Sequence, residues 1–207
     1  MSKVLKFIFL LGLIVVISTT LLLSQKNATK KSTSIEEKST ESSSKAIMLI
    51  PLADTDKTGW ANYNKPLPFP GEENDPKGFA RYLENAELED EKVYSKVLLT
   101  YPESKEKIGM IIGIFQVGKL PEKATFKAKV GFLKGANQTD GVKFKVSNMR
   151  DPRISAEKTC YYDGKLDDIV LSLDQLAGHD IQVLLKVHVI DSYHQDLAVW
   201  VDPRIEW

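Results

Sequence analysis

The chain has 207 residues, with 28 Lys and Arg balanced by 28 Asp and Glu, three His and one Cys. That length holds one domain of ordinary size with a tail and excludes a large multidomain enzyme. A formal net charge of zero removes the electrostatic footprint of a general nucleic-acid binder. The single Cys excludes both an intrachain disulfide framework and a cysteine-based zinc cluster.

At the N-terminus, Lys3 and Lys6 precede a stretch over 7–23 that is apolar except for Gly12, Ser18, Thr19 and Thr20. The pattern predicts an apolar helix over 1–23 with two readings. A membrane anchor needs about 20 apolar residues, whereas a cleaved secretory signal has an apolar core of about 7–15 residues ending at small ones. The run lies between these lengths. Leu21, Leu22 and Leu23 resume it beyond the small residue Ser18, which favours the anchor. Residues 24–45 follow as a polar stretch in which 18 of 22 are Ser, Thr, Lys or Glu. It cannot bury enough apolar surface to offset the entropy of ordering, so it reads as a disordered linker. Together the two segments predict a body held outside the cytoplasm, membrane-anchored or secreted. Residues 46–207 keep 21 Lys and Arg against 25 Asp and Glu, so this body is mildly acidic.

From 46 onward the period changes to two. Phe126, Ala128, Val130 and Phe132 alternate with polar or small residues, as do Val142, Phe144 and Val146. Further strands are expected at 47–50, 96–101, 108–117, 154–162, 169–173, 181–190 and 197–201, separated by Gly, Pro, Asn and Asp turn formers. Phe79, Tyr82, Leu83 and Ala86 fall at helical spacing and predict one short helix over 77–88. The segment 54–75 is rich in turn formers and aromatics and reads as a long ordered loop. Many short strands with little helix between them predict an all-β antiparallel β-sandwich of jelly-roll type.

Three stretches carry a resemblance. Residues 124–146 form an alternating strand, an Asp140-Gly141 turn and a second alternating strand. In 173–187, Leu173, Leu176 and Gly178 lead into a long strand. The third, 196–205, closes with Asp196, Trp200, Asp202 and Arg204. They are similar to the galactose-binding-like jelly rolls of the NPCBM group of carbohydrate-binding modules. That resemblance implies a non-catalytic module recognising a glycan or cell-surface polymer, with docking onto another exported protein as the alternative.

The candidate ligand residues follow. Trp60, Tyr63 and Phe69 suit an aromatic platform, because sugar rings expose C–H faces that stack on aromatic rings. The competing assignment is a cap on the core. His194 lies beside Asp196, and Asp196 and Asp202 are six apart on one strand, hence expected on one face. Asp140, Asp163, Asp167 and Asp168 sit at turns, where their carboxylates suit a structural Ca²⁺; no other cofactor is expected. Trp200 reads as core, Cys160 as a buried strand thiol, and Trp207 as a frayed chain end. Nucleic acid is not expected as a partner. No nucleophile elbow or phosphate-cradling glycine loop is present, so the chain does not read as an enzyme, with a carbohydrate-active hydrolase using Asp196 or Asp163 as the third reading.

Overall fold

Alternating apolar and polar residues become twelve strands in the computed structural model, which describes residues 45–207. The apolar helix over 1–23 and the linker up to residue 44 lie outside the described residues. In chain order the strands are β1 (Ala46–Met48), β2 (Thr58–Ala61), β3 (Pro66–Leu67), β4 (Phe79–Glu87), β5 (Val93–Tyr101) and β6 (Met110–Lys119). They continue as β7 (Thr125–Phe132), β8 (Val142–Asn148), β9 (Ser155–Cys160), β10 (Asp167–Ser172), β11 (Asp180–Val189) and β12 (Ala198–Glu206). One sheet runs β10-β7-β12-β5-β4, with β1 also on β12; the other runs β3-β2-β6-β11-β8-β9. Every strand pair is antiparallel. The expected two-sheet, all-β sandwich is the architecture found.

Inward residues of both sheets form the main core. Phe126, Val130 and Phe132 on β7, Phe144 and Val146 on β8 and Trp200 on β12 are fully buried in it. Trp200 meets Phe144 edge-on at 5.1 Å between ring centres, so its core assignment holds. Cys160 is buried, as its strand position implied. Trp207 is not frayed. It exchanges two backbone hydrogen bonds with Lys45, at 3.2 and 3.1 Å, and so extends the β1–β12 ladder.

The helix expected over 77–88 is instead β4, in register with β5 from Phe79 opposite Tyr101 to Glu87 opposite Val93. Its apolar spacing has another cause. Ala80 and Tyr82 face the main core, while Phe79, Leu83 and Ala86 join a second cluster with Val97, Leu99, Val199 and Val201. Burial on both faces erases the two-residue alternation and leaves a spacing that imitates a helix. Likewise 54–75 is not all loop, because β2 and β3 lie inside it and Trp60 enters the core.

The turn between β4 and β5 is fastened across β7. Glu89, only 4% exposed, accepts hydrogen bonds from the backbone N–H groups of Phe132 (2.9 Å), Asp163 (2.9 Å) and Gly164 (3.3 Å). Burial raises its carboxyl above the usual range, and the three N–H donors pull it back. The carboxylate needs room over β7, which Gly131 supplies. A Cβ there would sit 2.5 Å from Glu89 Oε1 and 2.5 Å from Leu166 Cδ2. Gly131→Ala is therefore expected to destabilise the protein by about 1–3 kcal/mol, measured by denaturant unfolding.

Candidate functional site

Antiparallel connectivity brings the segments 62–65, 68–78, 102–109, 133–141 and 190–197 to one end of the sandwich. Hydrogen bonds between them fix their arrangement. Asn62 Nδ2 donates to Lys77 O (3.0 Å), Ser104 N to Pro76 O (2.9 Å) and Lys107 N to Asp191 O (3.0 Å). Gln138 N donates to Gln195 Oε1 (3.0 Å) and Ser192 N to Asp140 Oδ2 (2.8 Å). This is a set of mutually bonded loops on a rigid frame, the usual setting of a binding site.

A cleft of about 290 Å³ opens among them, lined by Tyr63, Asn64, Glu103, Lys105 and Ile108. Tyr63 is 58% and Ile108 61% exposed, so both present apolar surface to solvent. The turn carrying Tyr63 is held by Asn62, whose Oδ1 accepts from the N–H groups of Asn64 and Lys65, both at 2.9 Å. Such a side-chain-closed turn restrains the backbone at Tyr63. Glu103 is largely buried and pairs with Lys105 at 2.8 Å, while its Oε2 has no protein partner. The cleft thus combines an exposed ring, an ammonium and an amide, with the Glu103 carboxylate orienting Lys105 while its Oε2 is buried.

The three expected platform aromatics do not lie together at the surface. Trp60 is 4% exposed, donates from Nε1 to Ala53 O (3.2 Å) and packs edge-on to Phe115 at 5.8 Å. Phe69 stacks on Trp60 at 5.5 Å and is half-buried. They line a separate cleft of about 340 Å³ beside Asp54 and Asp56. Only Tyr63 offers an open face. The signal that separates it from Trp60 is the Asn62-Tyr63-Asn64 turn, legible in the sequence. Glu103, Lys105 and Ile108 carried no signal of their own.

His194 and Asp196, also expected as ligand residues, part company. His194 is exposed and its Nε2 lies 3.1 Å from Gln138 Oε1. Asp196 is 0% exposed; it accepts from Thr139 Oγ1 at 2.6 Å and its Oδ2 has no protein partner. Nor does it share a face with Asp202. A bulge between Val201 and Arg204, with Asp202 at φ 49°, breaks the alternation and leaves Asp202 at the surface, bonded to Arg204 at 2.6 Å. Burial pushes the Asp196 carboxyl up to about 7, the charge of Asp140 adds to this, and the Thr139 bond opposes it.

The four aspartates expected at turns are engaged by protein groups, and Asp167 and Asp168 open β10 instead of lying in a turn. Asp140 holds Ser192, Asp163 pairs with Lys165 (3.0 Å), Asp167 with Lys158 (2.8 Å) and Asp168 with Lys129 (2.9 Å). Among the described residues no group of three or more His, Cys, Asp or Glu is placed to hold a metal ion.

No protein-family model and no curated protein matches the chain. Solved structures do. The tandem CBM51 modules of a family 98 glycoside hydrolase from Streptococcus pneumoniae match with TM-score 0.51 and 12% identity, over 79% of this chain and 48% of that one. An apo-form cyclase from Fischerella sp. matches with TM-score 0.51 and 14% identity, over 83% and 90%. CBM51-2 and INT domains of Clostridium perfringens ZmpB, in complex with GlcNAc, match with TM-score 0.43 and 20% identity; 58% of this chain aligns and spans 24% of that one. At these identities the first two matches establish a shared sandwich fold, and the third adds no weight.

The buried acid sets a pH dependence. Between about pH 4 and about pH 7 the folded chain keeps a proton on Asp196 that the unfolded chain releases, so stability falls as pH rises across that window. Glu89, also raised, acts in the same direction. Asp196→Asn is expected to flatten most of this fall, as read from unfolding midpoints taken across the window.

Proposed function

We propose that the body is a non-catalytic carbohydrate-binding module, related in kind to the NPCBM group, that recognises a glycan or cell-surface polymer at its loop end. The N-terminal apolar stretch holds it at a membrane or directs its secretion. The observation that carries this reading is Tyr63, projecting from a restrained turn beside Asn64, Glu103 and Lys105. An open aromatic face stacks on a sugar ring, and the surrounding amide and ammonium groups match its hydroxyls.

The fold alone does not choose between binding and catalysis, because the Streptococcus modules and the Fischerella cyclase resemble this chain equally well. The side chains favour binding. A general acid must reach its substrate within hydrogen-bond distance. Asp196, the carboxyl tuned closest to neutrality, is sealed from solvent and lines none of the clefts described. The second reading, docking onto another exported protein, draws on the exposed apolar pair Tyr63 and Ile108, which a protein partner also covers well.

The test is binding of the full-length chain, in mild detergent, to a panel of neutral glycans. Tyr63→Ala is expected to weaken binding about tenfold or more while Tyr63→Phe retains it. Unchanged binding by Tyr63→Ala overturns the site. A blank across the panel with a stable complex in pull-downs replaces it with the docking role. N-terminal sequencing of the membrane-associated protein separates an uncleaved anchor from a processed signal.

A further inference from the structure

The outer face of the second sheet gathers positive charge on a body that is acidic as a whole. On β8, Val142, Phe144 and Val146 enter the core, so alternation turns Lys143 and Lys145 outward. On β11, Val183, Leu185 and Val187 enter it, which leaves Gln182, Leu184, Lys186 and His188 outside. The register aligns these residues in rows. His188 lies between Lys143 and Met110, Lys186 between Lys145 and Ile112, and Leu184 between Ser147 and Ile114. A groove of about 380 Å³ runs here, lined by Lys107, Lys143, Lys145, Glu157 and His188 with Val189 and Ile190. Glu157 is the one acid in that lining, shared between Lys143 at 3.3 Å and Lys145 at 3.8 Å. Towards the other end of the same strands a cleft of about 560 Å³ adds Lys57, Arg150, Gln116 and Gln182, with Asp180 as its one acid.

The cations repel one another. Burial and the neighbouring Lys145 hold Lys186 below its ordinary range. Burial first, then Lys186, Lys143 and Lys145, do the same to His188 against the opposing pull of Glu157. Such a field is relieved by a bound anion. Ile112, Ile114 and Leu184 supply an apolar floor between the two clefts, and β11 from Gln182 to His188 spans about 20 Å at roughly 3.3 Å per residue.

We propose that this face is a second binding site, a trough for a glycan chain that carries repeated carboxylate or sulfate groups. The proposal rests on the carbohydrate reading above for the class of polymer, and on charge complementarity for the choice of an acidic one. A duplex nucleic acid fits less well, because the acidic remainder of the body repels a wide polyanion.

The experiment compares binding of the full-length chain to polygalacturonate, dextran sulfate, neutral dextran and a duplex DNA. Binding to one or both acidic glycans, weakened by salt, is expected, with no binding of dextran once Tyr63→Ala removes the loop-end site. Preference between the two identifies the anionic group. Lys143→Gln with Lys145→Gln is expected to weaken binding roughly tenfold, and the corresponding double change to Arg to keep it. Glu157→Gln, which frees both lysines, is expected to tighten it, an effect that mere loss of structure does not produce. Tyr63→Ala leaves acidic-glycan binding unchanged, so neutral-glycan binding that survives Tyr63→Ala overturns only the loop-end reading. Failure of both acidic glycans to bind, equal binding of dextran by the Tyr63→Ala chain, preference for DNA, or indifference to the Lys143 and Lys145 changes overturns the trough.

Discussion

β12 is buried on both of its faces, and much of the architecture answers to that constraint. Trp200 and Ala198 fill the space between the sheets, while Val199 and Val201 on the opposite face need a cover of their own. The β4–β5 hairpin provides it, bringing Phe79, Leu83, Ala86 and Leu88 over the strand. The hairpin joins the sheet through only a short ladder, in which Thr100, Leu99 and Leu98 of β5 oppose Ala198, Val199 and Trp200 of β12. Glu89 supplies the missing restraint by accepting three backbone N–H groups above Gly131. A single carboxylate thus joins the hairpin, β7 and the turn before β10.

The same closure explains the electrostatics of the loop end. Asp196 sits where 190–197 meets 133–141, bonded to Thr139 and cut off from water. Its cost of ionisation is the price of closing the loops, and it acts on stability instead of on ligand. The residues left open, Tyr63, Ile108 and His194, lie on turns that the network holds but does not cover. Binding chemistry is thereby separated from the buried polar groups that set the frame.

Sandwiches of this kind carry unrelated functions, and the matches to carbohydrate-binding modules and to a cyclase at equal TM-scores illustrate it. The frame fixes where the loops emerge and which strand positions face outward. The two proposed sites use those positions: an aromatic ring with amide and charged neighbours at the loop end, and a lysine-rich row on the outside of the second sheet. Each feature depends on a few side chains whose exchange leaves the core untouched.

The two-residue periodicity of 124–132 and 142–146, the alternation around Trp200 and the turn formers between strands are local properties, and they made the sandwich and its core readable from the sequence itself. Where a strand was buried on both faces the local signal misled, as at β4, because its cover comes from strands distant in sequence. Exposure was likewise beyond local reading. Trp60 and Tyr63 lie three residues apart and are alike in type, yet one packs against Phe115 and the other faces solvent. Asp196 lies in the loop before β12 and Asp202 at a bulge within it, and the two meet opposite environments. The cationic row on the second sheet arises because register sets β8 beside β11 although about 40 residues separate them in the chain. Sequence by itself determined the elements and their apolar faces, since these follow from neighbours along the chain. Tertiary structure alone decided which polar and aromatic groups meet, since pairing across the sheets sets burial, charge and access.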